Sequence, residues 1–542
     1  MVKRRRTLAA TVVLVSVIAT TGCQSQGNKV DSTAKLDLSK PAENYSLPIV
    51  TDGSVTLTFS GNDNYYAPRS FSQNLPVWAQ IEKKTGVKIK WDVTPSSQYQ
   101  QVIKVRLAAA QDLPDIITIP DQFPTKLASD GLIIPLDGLI DKYAPNIKKY
   151  LQENPDLYKY MQAPDGKIYA ISADVTGAAY ADPNGLIIRQ DWLDKLGLTE
   201  PKTLDEWYTV LKAFKEKDPN GNGKPDEIPY SPNYNLDGIN VFGSALGLHL
   251  FYSFGYFPDE NGKIQYEWMD PRAEKLIVWL NKIYKEGLLD PQFLKNTDSD
   301  IFSNISRNLV GSTNHFINNV NRYNVAQQNA GIKDVNWQLT LPPENPGYKG
   351  FYEKYGPMSG WWGISKDSKN PEVAIKWLDY IYASEEGSTA LAYGIEGQSY
   401  TIQNGQPEFT DWVVHNPDGL SFNEALRYLG AMPTTPWIRN AKGPLYQQAA
   451  AILRKDPKLE EMAKKVESYL TDPVPLSMPS LDEIQQVSSI QTDIDTYMEE
   501  TLSKFITGQE EIDWAKFVST LKSMGIDEII KTKQAQYDRM TK

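Results

Sequence analysis

The sequence predicts an α/β protein built on a mostly parallel sheet. Three observations carry this. Strand-like and helix-like patterns alternate from residue 54 to residue 119. A second strand–helix alternation begins at Gly185. The chain has 542 residues, enough for more than one domain-sized core.

The elements follow in order. Ser54-Val-Thr-Leu-Thr-Phe59 alternates in period two and predicts a first strand. Leu75, Trp78, Ala79 and Ile81 recur at helical spacing, and Gly86 closes that helix. Val87 to Val93 alternates again. Tyr99, Val102, Ile103, Leu107 and Ala110 mark the next helix, and Leu113 to Ile119 is a short, mostly apolar third strand. In a parallel sheet ligands gather at the carboxyl ends of the strands, which puts Asn62–Arg69 and Pro120–Phe123 near a crevice. Gly185-Leu-Ile-Ile-Arg189 starts the second pattern, with a helix over Asp191–Leu196. Thr203-Leu-Asp-Glu206 has the form of a capping box, opening a helix that ends near Lys217. Pro371 to Ser384 carries Val373, Ile375, Trp377, Leu378 and Ile381 as a buried helix face. The C-terminal third is helical, broken near Pro473, Pro475 and Pro479.

The N-terminus has a different character. Lys3-Arg-Arg-Arg6 is followed by an apolar run from Leu8 to Ala19, then Thr20-Thr-Gly-Cys23. The run is too short for a membrane span, which needs ~20 residues. A basic start, a short apolar stretch, small residues and a cysteine predict a lipoprotein signal over 1–22, with Cys23 as the lipid-bearing residue. Thr20 stands where such signals usually carry Leu, and an ordinary cleaved signal with a chance cysteine is the alternative. Residues 23–48 are polar and predict a flexible tether.

Composition excludes several functions. Net charge is −11. Removing residues 1–22, which hold four basic and no acidic side chains, takes it to about −15. So acidic a chain is a poor nucleic-acid binder. Cys23 is the only cysteine, which excludes intrachain disulfides and Cys-based zinc sites. Only His249, His315 and His415 could supply imidazole, which weakens acid–base chemistry. Thirteen Trp and 30 Tyr exceed what packing alone suggests and point to a surface that stacks on ligands.

Several segments in this order resemble the family 1 extracellular solute-binding proteins of ABC importers, in the lipoprotein branch that includes alginate-oligosaccharide-binding proteins. They are Trp78-Ala-Gln-Ile-Glu-Lys-Lys-Thr-Gly86, Leu113-Pro-Asp-Ile-Ile117, Leu127 to Leu136, Ile188 to Gly197, Lys202 to Trp207 and Tyr393-Gly-Ile-Glu-Gly397. The ending, Phe505-Ile-Thr-Gly508 to Trp514 and Met524 to Arg539, belongs with them. The resemblance implies a two-lobed, periplasmic-binding-protein-like fold with a hinge and an interlobe cleft. Residues 49–175 and 360–434 would form the N-terminal lobe, and 176–359 and 435–542 the C-terminal lobe. Chain crossings are expected near 170–180, 355–362 and 432–438. The implied partners are an oligosaccharide and the permease subunits of an ABC transporter. The protein is expected to be a monomer held to the cell membrane by its lipid.

The sharpest single motif is Asp218-Pro-Asn220-Gly-Asn222-Gly223-Lys224-Pro-Asp226-Glu227. Oxygen-bearing side chains fall at positions 1, 3, 5 and 9, Gly sits at 6, and Lys224 at 7 can offer its carbonyl, as in an EF-hand loop. Such hard ligands suit a structural Ca2+. Position 12 is Pro229 where an EF-hand has Glu, and the resemblance implies that Glu227 closes the shell. The alternative is a polar Asn-Gly turn.

A sugar site needs aromatic plates for C–H faces and carboxylates or amides for hydroxyls. Strand-end loops offer Tyr65, Tyr66 and Arg69. Asp174 lies at the first expected crossing, Trp361 and Trp362 at the second, and Trp437 and Arg439 at the third. The resemblance adds Asp121, where related sugar binders place a hydroxyl-binding carboxylate, and His315 and Phe316, where relatives present an aromatic from the second lobe. One of Trp361 and Trp362 should be core, because strand neighbours face opposite ways. Trp78, Trp192 and Trp207 sit in helix patterns and are expected to be core. The resulting expectation is a binding protein, not an enzyme, that delivers a neutral or uronic-acid-containing oligosaccharide to a permease. A secreted polysaccharide-degrading enzyme, and a peptide-binding or sensory lipoprotein, are the alternatives.

Overall fold

The computed structural model describes residues 34–63, 69–119, 124–174, 183–356, 358–418, 420, 422–432, 435–438 and 457–542. Two sheets, each with its own buried core, dominate it. The first contains β1 (Thr56–Asn62), β2 (Lys88–Thr94), β3 (Ile116–Ile119) and β4 (Ile171–Asp174). The second contains β5 (Asn184–Arg189) and β6 (Ile228–Tyr230). A hairpin of β7 (Tyr256–Pro258) and β8 (Ile264–Tyr266) follows, then β9 (Val310–Phe316) and β10 (Trp337–Leu339) of the second sheet. The short β11 (Tyr352–Glu353) leads to β12 (Met358–Ile364), which returns to the first sheet.

The first sheet has the order β2-β1-β3-β12-β4, and the second β10-β5-β9-β6. β1 lies parallel to β2, from Thr56 opposite Lys88 to Asn62 opposite Thr94, and parallel to β3. The parallel reading of this segment therefore holds for the first three strands. It fails at β12, which inserts antiparallel between β3 and β4, with Trp361 opposite Ile119. Both pairings join residues far apart in sequence and leave no local pattern.

Local chemistry sets the helix ends. The helix Pro76–Thr85 starts with Pro in its first turn, where the missing N–H costs nothing, and ends at Gly86, whose φ of 67° suits a residue without Cβ. The helix Leu204–Glu216 is capped by Thr203, whose side chain accepts from the Glu206 N–H at 3.2 Å. The Glu206 carboxylate reaches past Thr203 to accept from the Lys202 N–H at 2.7 Å, so the box closes one residue earlier than the motif suggests.

One core joins residues of 57–173 to residues of 362–438; the other joins residues of 186–352 to residues of 459–529. In the first, Trp78 and Trp377 lie 6.1 Å apart beneath β1. In the second, Trp192 and Trp207 are buried against Phe214 and Phe242. The three tryptophans expected in core are there. The chain passes between the cores after Asp174, before Met358 and around Ile438. These three passages lie side by side: Asp174 pairs with both Met358 and Ile438. Among the described residues no helix is long and apolar enough to cross a membrane.

Candidate ligand cleft and cation loop

A cavity of about 600 Å3 lies where the two cores face each other across these passages. The second lobe contributes the Asn233–Asn235 turn, residues 295–298 and the end of β9 with the helix Asn318–Asn329. The passages contribute Tyr355 and Trp437. The first lobe contributes Asn423, Glu424 and Arg427 from the helix Phe422–Tyr428, and Met432.

The second-lobe wall is preorganised by buried amides. Asn314, fully buried on β9, accepts from the Asn233 N–H at 2.9 Å and so fixes the turn after β6. That turn holds Tyr234 at φ 64° and Asn235 at φ 52°, a left-handed conformation that a bulky residue adopts at a cost. Tyr234 is nonetheless 42% exposed, with its ring 5.7 Å from His315. Phe316 and Tyr355 meet edge to face at 5.8 Å, and Tyr355 meets Tyr252 at 5.9 Å. The result is an aromatic wall with amide groups at its rim, the surface that sugar faces and hydroxyls require.

His315 is held in one tautomer. Its Nδ1 accepts from the Phe316 N–H at 2.8 Å, so the ring proton is on Nε2, facing Asp298 at 3.3 Å. Burial lowers the His315 pKa, against the opposing pull of Asp298, and the imidazole is neutral near pH 7. Asp298 also meets Arg322 at 3.3 Å, and Arg322 lies over the Phe302 ring at 3.9 Å. A neutral imidazole locked by a backbone N–H orients the groups around it, Asp298 among them.

His315, Phe316 and Trp437 thus line the cavity. Arg69 lies over the Tyr428 ring at 4.8 Å, on the helix that carries Arg427. Asp174 is 2% exposed; its carboxylate accepts from the Tyr150 hydroxyl, and its N–H donates to the Trp437 carbonyl at 3.0 Å. It ties the passages together from behind the cavity. Trp362 is buried in the first core, whereas Trp361 is half-buried, packed both against that core and against a smaller cluster with Ile119 and Leu127. Tyr65, Tyr66, Asp121, Arg439 and Cys23 lie outside the described residues. Sequence reasoning missed Asn233, Tyr234, Asn319, Arg322, Tyr355 and Arg427. The amide-rich stretches Asn233-Tyr-Asn235, just past β6, and Asn314 to Asn321, running from the end of β9 into the next helix, were the signal available.

The loop after the helix Leu204–Glu216 folds back on itself. Asp218 has φ 47°, and Gly221 and Gly223 have φ 74° and 75°. The Asp218 carboxylate accepts from the Asn222 and Gly223 N–H groups, and Asn222 Oδ1 accepts from the Lys224 N–H. Glu227 is 9% exposed, and neither of its carboxylate oxygens makes a hydrogen bond of normal geometry. Burial first, then the charges of Asp218 and Asp226, raises its pKa. Two orphaned carboxylate oxygens amid further hard oxygens fit a divalent cation. The arrangement is open: among the described residues no three acidic, His or Cys side chains converge on a metal position. Asp226 instead accepts from the side-chain amides of Asn220 and Asn222 at 3.1 and 3.0 Å.

Comparisons with known proteins agree with this architecture. Residues 72–387 match the family described as bacterial extracellular solute-binding protein. A fructooligosaccharide ABC transporter substrate-binding protein, FusA, of Streptococcus pneumoniae serotype 4 is 26% identical over 521 residues, covering 89% of this chain and 90% of the relative. The lipoprotein LipO of Bacillus subtilis is 26% identical over 437 residues, covering 77% and 82%. The solved structure of the alginate-binding protein AlgQ2 without calcium ion superposes with a TM-score of 0.72 at 26% identity, covering 90% of this chain and 99% of that one.

Proposed function

This chain belongs to the bacterial extracellular solute-binding protein family, and from that premise we propose that it captures an oligosaccharide between its two lobes and hands it to an ABC transporter permease. The observation that carries this is the cavity of about 600 Å3 lined from both lobes and from the passages between them, with an aromatic wall on one side. A ligand touching both lobes favours the form in which they close on it, by as much as its affinity for that form exceeds its affinity for the open one. Capture needs no bond to be broken; it needs only a surface that meets the saccharide from both lobes.

Two further assignments belong to this reading. The 218–227 loop holds a structural Ca2+ through Asp218, Asn220, Asn222, Asp226, Glu227 and the Lys224 carbonyl, with the Asp226 carboxylate leaving its amide partners to join the shell. Support comes from the orphaned Glu227 oxygens. The cation neutralises the carboxylates and stiffens the connection from helix to β6. The second assignment is lipidation at Cys23, with residues 23–48 as the tether, supported by the sequence pattern and by the lipoprotein relative.

The test is thermal denaturation against a panel of neutral and uronic oligosaccharides, with chromatography of the same samples. A ligand at a hundred times its Kd stabilises by ~2.7 kcal/mol, a readily measured shift. A shift with intact saccharide recovered is the expected result. Product accumulation would favour the degrading-enzyme alternative, and a panel without any shift would favour a non-saccharide ligand.

A further inference from the structure

Behind Tyr234 lies a second cavity, about 720 Å3, within the second lobe. The helix Leu481–Thr507 and Lys533 of the helix Ile526–Thr541 form one side, and the β7–β8 hairpin with its approach forms the other. Tyr234 and Asn235 line both cavities, and Gly356, at the passage between lobes, borders the second. The two spaces therefore adjoin across one exposed tyrosine. Each is of the size that holds a small-molecule ligand.

Its walls carry a specific chemistry. Tyr256 and Tyr266 stack at 4.6 Å, with Trp268 beside them. Phe254 is 58% exposed with φ 51°. Among the described residues, Tyr234 and Phe254 are the two aromatics with left-handed backbone, and both present their rings to this cavity while remaining exposed. The Phe254 loop is held from behind: buried Glu353 accepts from the Phe251 and Ser253 N–H groups at 2.9 and 2.7 Å. The Tyr256 hydroxyl is buried beside Gln491 without a hydrogen bond of normal geometry. Among the described residues, the charged groups on the wall are the carboxylates of Asp237, Asp495 and Glu499 and one cation, Lys533, which lies 5.6 Å from the Tyr256 ring centre.

Aromatic plates with surrounding carboxylates suit a hydroxylated, uncharged ring: the plates take its C–H faces and the carboxylates accept from its hydroxyls. The same carboxylates repel an anion. We propose that this chamber is a second subsite, holding the continuation of a saccharide seated in the first cavity, and that it selects neutral units over uronic ones. The inference rests on the saccharide-capture reading above.

The test is titration calorimetry with two ladders of increasing length, inulin-type fructooligosaccharides and oligogalacturonates, on the full protein. In the wild type, affinity for the neutral ladder should rise with length and then level off. Phe254→Ala, at an exposed position, should lower affinity for the long neutral members about tenfold and leave the shortest binder within about twofold. Asp495→Asn combined with Glu499→Gln should raise affinity for long uronates. If wild-type affinity does not grow with neutral chain length, or Phe254→Ala weakens short and long members alike, the second subsite is overturned while saccharide capture stands. Long uronates that bind more tightly than short ones in the wild type, with the gain lost in Phe254→Ala, would overturn the selectivity. Failure of both ladders to bind would overturn this proposal together with the reading it rests on.

Discussion

The substitution Glu227→Gln separates two effects that the proposed calcium site combines. Without calcium, the wild-type carboxylate is buried with both oxygens unsatisfied and with Asp218 and Asp226 nearby. Burial first, and then these neighbouring charges, raise its folded pKa, so the stability linked to its proton is present at low pH and lost as pH rises through that raised value. Above that value the charged, metal-free form carries the cost of burial, and glutamine removes it. With calcium the order reverses, because glutamine offers one weaker oxygen where glutamate offers two charged ones. Extracellular calcium sites bind with Kd of about 10⁻⁴–10⁻³ M, so about 10 mM calcium is at least ten times Kd. At ten times Kd the stabilisation is about 1.4 kcal/mol. The assay is urea denaturation followed by tryptophan fluorescence, in EDTA and in calcium. The expected outcome is a crossing: Glu227→Gln at least as stable as wild type in EDTA, and less stable in calcium. Equal calcium gains in both proteins would refute the role given to Glu227, and no gain in either would refute the calcium site.

Other predictions concern the cleft and the anchor. His315 has a lowered folded pKa, so wild-type stability should fall as pH drops below the ordinary imidazole value near 6.5, where the unfolded chain takes up a proton that the folded one resists. His315→Asn, whose Oδ1 can replace the acceptor at Nδ1, should flatten that part of the profile; an unchanged slope would remove His315 as its source. Gly238→Ala places a Cβ 1.7 Å from the Asn233 carbonyl oxygen. Backbone must move, so this variant should shift the Tyr234 turn and weaken saccharide binding, and unaltered affinity would show that the turn is not part of the site. Cys23→Ser should release the protein from the membrane fraction with ligand binding intact; continued membrane association would assign the anchor elsewhere.

Much of the first three-strand unit was legible because its signals are local. Period-two alternation located β1 and β2, helical spacing located Pro76–Thr85, and Gly86 marked its end. The tight turn over 218–227 was legible because its Asp, Asn and Gly spacing lies within ten consecutive residues. β12 was not, because its place between β3 and β4 is decided by long-range pairing. The parity argument separated Trp361 from Trp362 but could not say which faces the core; the register puts Trp362 there. Tyr234 was missed because nothing in its own type predicts a left-handed backbone. Asn314, which fixes that turn, lies 81 residues away from Asn233. The first-lobe side of the cavity was missed for a related reason, since the helix Phe422–Tyr428 has no motif and takes its role from facing the second lobe.

Capture between the lobes requires that one ligand be held by both at once. Titration calorimetry of Asn319→Ala, from the second lobe, and Arg427→Ala, from the first, tests it directly with a saccharide that shifts wild-type denaturation. The expected result is one ligand per protein and weaker binding in each variant, by about five- to fiftyfold for a lost polar contact. Wild-type affinity retained in either variant would place the ligand on one lobe alone and contradict capture between them.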